Sequence, residues 1–426
     1  MAPSTVAPGA RPDLREHPHR KNAARAASGF VMRVLLTTKR GAGHFGPLIP
    51  FARAFRRAGD TVLVAAPQSA RPMVRAEGFS TWLFDEHPEH ERDAIFAAAW
   101  QLPEEDRGPH VFSEAFIRLD ARAAVPGVLD VCRRWNPDVV VSEISELAGP
   151  LVAEALGIPS VCVGIFQQGT SEGVVTAAGV MRAIDELRAE LGLASDPDGE
   201  RLLSTPYFTL LPEALEDPSQ PLSRTGWRFR DLEAPLTGAH TDRFAGDERP
   251  LVYLTFGSVA PTMDFFPDVF RGAIDAFSAL PVRVLVTVGR DRDPADLGRL
   301  PANVQVERWI PQREVMPHAA AMVCHGGSGT VTMGLAAGVP MAVVPLFADQ
   351  PSNARRVEEI GAGIALDGGP QAVSRLGDAV SKLLVDPAYR ANAERVAEEM
   401  RSLPSVDAAP VIARAILEDR PLAAMH

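Results

Sequence analysis

Two glycine loops carry the residue types best suited to chemistry. The first, Gly41-Ala42-Gly43-His44-Phe45-Gly46, follows an apolar run over 32–38 and precedes helical spacing from Leu48 to Ala58. Its glycines allow a tight turn and close helix packing. They do not account for a histidine at the mouth of a parallel sheet, where an imidazole is suited to moving a proton near neutral pH. The second loop, His325-Gly326-Gly327-Ser328-Gly329-Thr330, follows another apolar run and leads into a helix expected to begin near Ser328. Free N–H groups at that helix start favour a diphosphate, glycines let it approach the backbone, and the Ser328 and Thr330 hydroxyls add donors.

Neighbouring residues exclude some phosphate chemistries. The first loop fits the G-x-G-x-x-G of dinucleotide binders, but that site needs an acidic residue at the end of the second strand to hold a ribose. The sequence there reads Ala65-Ala66-Pro67-Gln68, which disfavours nicotinamide and flavin cofactors. The second loop lacks the G-K-[ST] ending of a nucleotide triphosphatase. His87, His90, His110 and His318 lack metal-ligand spacing with one another, so no metal site is expected.

The elements that must position these loops are short apolar runs alternating with helical stretches, the pattern of parallel sheets covered on both faces. Strands are expected over 32–38, 61–66, 138–141 and 160–163, with a helix at about 147–156. A second set begins at Leu251, with strands over 251–258, 282–289, 304–310, 321–324 and 341–346. The stretch from about 213 to 250 is rich in Pro, Gly and charge and separates the sets. Expected units are a tail over 1–31, a first domain over 32–230, a linker over 231–250, a second domain over 251–405, and a C-terminal helical segment over 406–426. Residues 82–120 read as an irregular, mobile loop, followed by a helix over about 111–123.

Composition narrows the function further. The 426 residues carry a formal charge of −11, which opposes nucleic-acid binding and docking on anionic membranes. Residues 1–31 hold five basic and two acidic side chains, so the remainder is more acidic still, and positive potential for a diphosphate must arise locally. The segment reads as a disordered tail, with Met32 the expected natural start. Cys132, Cys162 and Cys324 form no C-x-x-C and are odd in number, which disfavours a disulfide framework and suits a reducing cytoplasm. Only three basic residues are lysine: Lys21, Lys39 and Lys382.

Three further stretches complete a recognisable pattern. Residues 309–312 read WIPQ, 325–330 read HGGSGT, and 338–364 read GVPMAVVPLFADQPSNARRVEEIGAGI. With GAGH at 41–44, these resemble the donor and base motifs of family-one glycosyltransferases, closest to the actinobacterial branch that decorates antibiotics. The resemblance spans most of 32–426. It implies an α/β GT-B fold: two Rossmann-like, doubly wound parallel-sheet domains facing a central cleft. It also implies an inverting, metal-independent enzyme that moves a sugar from a nucleotide-diphosphate sugar, its co-substrate, to a small hydrophobic acceptor. No other cofactor, no nucleic acid and no membrane is then expected as partner; the enzyme would be a cytoplasmic monomer or homodimer.

The resemblance also assigns roles. His44 matches the general base, and Glu143 stands where many members have an Asp that pairs with it. Trp309 matches the residue that stacks on the donor base, with Ile310 and Gln312 in the same pocket. Ser258, His325, Gly327, Ser328, Gly329 and Thr330 match diphosphate contacts, and Asp349 and Gln350 the pair that binds sugar hydroxyls. Met333 stands where UDP-glucose users carry a ribose-binding Glu. Methionine accepts no strong hydrogen bond, which favours a dTDP-sugar over a UDP-sugar. Phe45, Trp82, Phe112, Phe116 and Phe166 are the candidate acceptor contacts. Two alternatives remain: a non-catalytic nucleotide-sugar-binding partner of another transferase, and a GT-B sugar-nucleotide epimerase.

Overall fold

The computed structural model describes residues 30–220, 226–231 and 247–418. The expectation for a disordered tail falls almost wholly, and that for the 231–250 linker mostly, on residues outside that set. Two parallel sheets form the molecule. The first has seven strands in the order β3-β2-β1-β4-β5-β6-β7. They are β1 (Arg33–Thr37), β2 (Thr61–Pro67), β3 (Ser80–Phe84), β4 (Val139–Glu143), β5 (Ser160–Gly164), β6 (Tyr207–Thr209) and β7 (Gly226–Arg228). The second has six in the order β10-β9-β8-β11-β12-β13. They are β8 (Leu251–Thr255), β9 (Arg283–Thr287), β10 (Val304–Glu307), β11 (Ala319–Cys324), β12 (Met341–Val343) and β13 (Gly363–Ala365).

The sequence forms this fold because its central strands are apolar on both faces. In β1, Val34 and Leu36 pack into one core while Leu35 packs into the core on the opposite face. β8 divides in the same way, with Val252 and Leu254 on one side and Leu251 and Tyr253 on the other. Such strands are stable only with helices on both faces. In each sheet the strand order reverses between two adjacent strands, β1/β4 in the first and β8/β11 in the second. The crevice beyond the carboxyl ends at such a reversal is where α/β folds bind ligands.

The two sheets are joined at several points. Ser352, on helix Gln350–Glu359, donates its hydroxyl to Gln167, just past β5, at 2.9 Å. Arg356 on the same helix donates to the Ala214 carbonyl at 2.8 Å. Helix Ala409–Leu417 leaves the second sheet and packs on the first: Ile412 and Ala413 join the core with Phe51 and Phe55 of helix Ile49–Arg57. Arg414 pairs there with the buried Asp60 carboxylate.

Residues 82–120 are not an irregular loop. They continue β3 and then form helices Glu89–Ala99 and Glu104–Val111, followed by a wider helix of π geometry over Phe112–Ala121 that runs into Arg122–Trp135. Pro88 and Pro103 precede the first two helices, and each first turn is acidic, which complements the helix dipole. Those helices are mostly exposed, so they lack the apolar stripe that marks a helix in sequence. β7 likewise lies inside the stretch read as a separator. Its Trp227 packs edge-on against Phe208 of β6.

Candidate active site

Each reversal point holds one glycine loop. Beyond β1, Gly41 adopts a φ of 103° and starts the short helix Ala42–Phe45. That turn brings His44 over the end of β4, whose last residue is Glu143. His44 Nδ1 and Glu143 Oε1 lie 3.0 Å apart. Glu143 is fully buried, and its carboxylate also accepts the Ser145 N–H at 2.7 Å and the Ser145 hydroxyl at 2.8 Å. Burial pushes the Glu143 pKa up, but the His44 imidazole, Lys39 and the Ser145 N–H outweigh it, and the net shift is downward. An ionised Glu143 fixes the proton of neutral His44 on Nδ1 and leaves Nε2 as an acceptor. Burial, then the nearby Lys39 charge, lower the His44 pKa below its ordinary value.

Phe116 meets the His44 ring edge-on, with centroids 5.9 Å apart. The other aromatic candidates divide. Phe45 is wholly buried against Phe79 and Phe112 is core, so neither can line an acceptor site. The sequence could not separate them from Phe116, because a helical aromatic stripe looks the same whether it faces core or cleft. Trp82 and Phe166 are half-buried and packed against that same core.

The second loop is built differently. Helix Ser328–Ala336 starts where expected, with Gly327 as its N-cap. His325 is 7 % exposed, and its Nδ1 has no hydrogen-bond partner. Burial lowers its pKa to about 4, so it is neutral at physiological pH. A Cβ on Gly257 would stand 2.6 Å from the His325 ring, and one on Gly327 would stand 2.7 Å from its Nε2. These two glycines therefore make the slot for the imidazole. Ser258 and Gly329 are exposed beside this slot, while Ser328 and Thr330 are buried.

Trp309 is 48 % exposed, and the Arg290 guanidinium lies 3.6 Å from its ring centroid. Ile310 is core rather than pocket, packed in the cluster that holds Val315 and Met316. Gln312 reaches Thr330 Oγ1 at 3.4 Å. Gln350 is buried, and its amide oxygen accepts the Leu346 and Phe347 N–H groups at 2.8 and 3.0 Å, which holds the loop after β12. Asp349 accepts the Ser328 hydroxyl and the Asn353 amide, both at 2.7 Å. Asn353, Ser145, Gly257 and Arg290 are site residues that the sequence reading missed. Ser145, two residues after Glu143, Gly257, beside Ser258, and Asn353, one helical turn after Asp349, had local signals; Arg290 had none.

Comparison with known proteins identifies the family. Residues 271–415 match the family model described as erythromycin biosynthesis protein CIII-like, C-terminal domain. The chain is 33 % identical over 382 residues to L-demethylnoviosyl transferase of Streptomyces niveus, covering 88 % of this chain and 95 % of that one. It is 34 % identical over 399 residues to elloramycin glycosyltransferase ElmGT of Streptomyces olivaceus, covering 88 % and 94 %. Among solved structures, the glycosyltransferase SnogD of Streptomyces nogalater superposes with a TM-score of 0.70 at 27 % identity, over 91 % of this chain and all of that one. SsfS6, a glycosyltransferase of Streptomyces sp. SF2575 solved with thymidine diphosphate, gives 0.69 at 25 % identity, over 90 % of this chain and 100 % of that one. This chain therefore belongs to the family-one glycosyltransferases of GT-B fold that serve antibiotic and other natural-product biosynthesis.

Proposed function

We propose that the chain moves a deoxysugar from a dTDP-sugar to a hydroxyl of a small hydrophobic acceptor, without a metal and with inversion at the anomeric carbon. The observation that carries this reading is the 3.0 Å contact between His44 and the buried Glu143 at the first reversal point. A hydroxyl is a poor nucleophile, and the free Nε2 of a Glu143-oriented imidazole can take its proton as it attacks. Attack from the face opposite the leaving diphosphate inverts the anomeric centre. Charge building on that diphosphate is met by the N–H groups opening helix Ser328–Ala336 and by neutral His325. In this reading Asp349 binds sugar hydroxyls, Gln350 holds the loop beside it, and Trp309 stacks on the base. The half-buried Met333 supplies no acceptor for a ribose hydroxyl, which favours deoxyribose. The structural relative solved with thymidine diphosphate supports the same donor class.

His44→Ala is the direct test. Turnover of a dTDP-sugar should fall by roughly two orders of magnitude or more, with dTDP affinity by calorimetry retained. Near-native turnover would remove His44 as the base. Tighter binding of UDP than of dTDP would overturn the donor assignment.

A further inference from the structure

One buried ionisable group beside His44 has no part in the transfer as described. Lys39 stands two residues past β1 and is 5 % exposed, and its Nζ has no hydrogen-bond partner. The amine sits over the face of Phe116, 2.9 Å from the ring centroid, and this is the ring that meets His44 edge-on. Lys39 lines a cavity of about 20 Å³ with Arg40, Glu86, Arg92, Phe116, Asp120 and Glu146. That is room for about one water-sized atom.

The buried and half-buried charges around the cavity are matched, and Asp85, which also lines it, is exposed to solvent. Arg40 donates to Glu86 at 2.9 Å, and Arg92 pairs with Asp120. Glu146 accepts the Thr37 hydroxyl and, at 3.0 Å each, the Ala148 and Gly149 N–H groups. The amine is the group left over. A buried amine without a hydrogen-bond partner is costly. An amine charged or poised to be charged presents only donors, so its complement is an oxygen acceptor, best one that carries negative charge. The cavity holds about one such atom, which suits a phenolic or enolic oxygen better than the two oxygens of a carboxylate.

We propose that Lys39 Nζ binds a second, acidic oxygen of the acceptor, phenolic or enolic, next to the hydroxyl that His44 deprotonates. The acceptor class is then an aromatic or enolised compound with two neighbouring oxygens. The assignment rests on the reading of His44 as the base. Burial holds the Lys39 pKa to about 7, so the amine and an acidic oxygen can share one proton at neutral pH.

The test titrates two probes, 2,3-dihydroxynaphthalene and 3-methoxy-2-naphthol, into the dTDP-loaded full chain. Wild type should prefer the diol by about tenfold or more, as expected for a charge-assisted hydrogen bond. Lys39→Met should bring the two affinities together while keeping the affinity for dTDP. Lys39→Gln serves if the methionine variant does not fold, because its amide keeps a weak donor and should retain only part of the preference. Equal binding by wild type, no binding of either probe, or an unchanged preference in the Lys39 variant would each overturn the assignment. His44→Ala separates the two readings. If it transfers sugar normally, the proposed base is wrong. If it no longer transfers sugar yet still prefers the diol, both readings stand.

Discussion

His44 and His325 each stand in a glycine loop at a reversal of strand order, but on opposite sides of it: His44 follows β1, whereas His325 follows β11, the counterpart of β4. Their surroundings are opposite. The His44 side chain is 19 % exposed and hydrogen-bonded to an ionised carboxylate. His325 is buried, has a free Nδ1, and fits a slot cut by two glycines. The first environment orients an imidazole whose proton must come and go. The second keeps an imidazole neutral and rigid, able to contact a diphosphate but costly to protonate. One architecture thus supplies a proton-transfer site and an anion site, set by the strand that carries each loop and by a few residues beside each histidine.

The sharpest way to break this contrast is Glu143→Gln. The Ser145 N–H at 2.7 Å requires an acceptor at one end of residue 143, so a glutamine would turn its oxygen there. Its NH2 group would then face His44 Nδ1 and force the imidazole proton onto Nε2, the position that must accept from the substrate. Turnover should fall by about 100-fold or more, while dTDP affinity measured by calorimetry stays unchanged. A loss of dTDP binding, or turnover within a few-fold of wild type, would show that the carboxylate does not orient the base.

The second loop is open to a backbone test. In Gly257→Ala the new methyl would meet the His325 ring at 2.6 Å, in a backbone with φ of +75°. The substitution should cost about 1–3 kcal/mol of stability, seen as a lower melting temperature. It should also weaken dTDP binding by roughly tenfold by displacing a neutral donor, with the pH dependence of turnover unaltered. Adding His325→Ala should restore much of the melting temperature but not the dTDP affinity. If the double variant melts no higher than Gly257→Ala, the slot is not what Gly257 provides.

How much of this was legible in sequence depends on how local the cause was. The apolar runs of β1, β8 and β11 and their glycine loops are written in consecutive residues, and the matching motifs carried the family with them. Strands β6, β7 and β13 are three residues each, too short to show a period. The helices between 89 and 111 are polar on most of their surface, so their region read as loop. The partners of the site residues are harder. Asn353 meets Asp349 one helical turn on, and the sequence marks Lys39 only as one of three lysines. Nothing in sequence told that its amine would be buried over Phe116, because that contact joins the end of β1 to a helix about 80 residues later.

The smallest expected effect is on the pH profile, and it separates the histidines by which of them titrates in the working range. Burial and Lys39 lower the His44 pKa in the folded protein, so its neutral, proton-accepting form persists to lower pH than in a free imidazole. An imidazole of ordinary pKa would be about one-quarter neutral at pH 6. Wild type should therefore retain clearly more than that fraction of its plateau kcat/KM at pH 6. His325, with a pKa of about 4, does not titrate between pH 5 and 8. His325→Asn should accordingly lower donor affinity at every pH in that range and leave the half-point of the acid limb where it was. A wild-type half-point at or above pH 6.5 would mean that the imidazole being titrated is not the buried, Lys39-flanked ring of His44. A half-point that moves in His325→Asn would mean that the two loops do not divide proton transfer and anion binding between them.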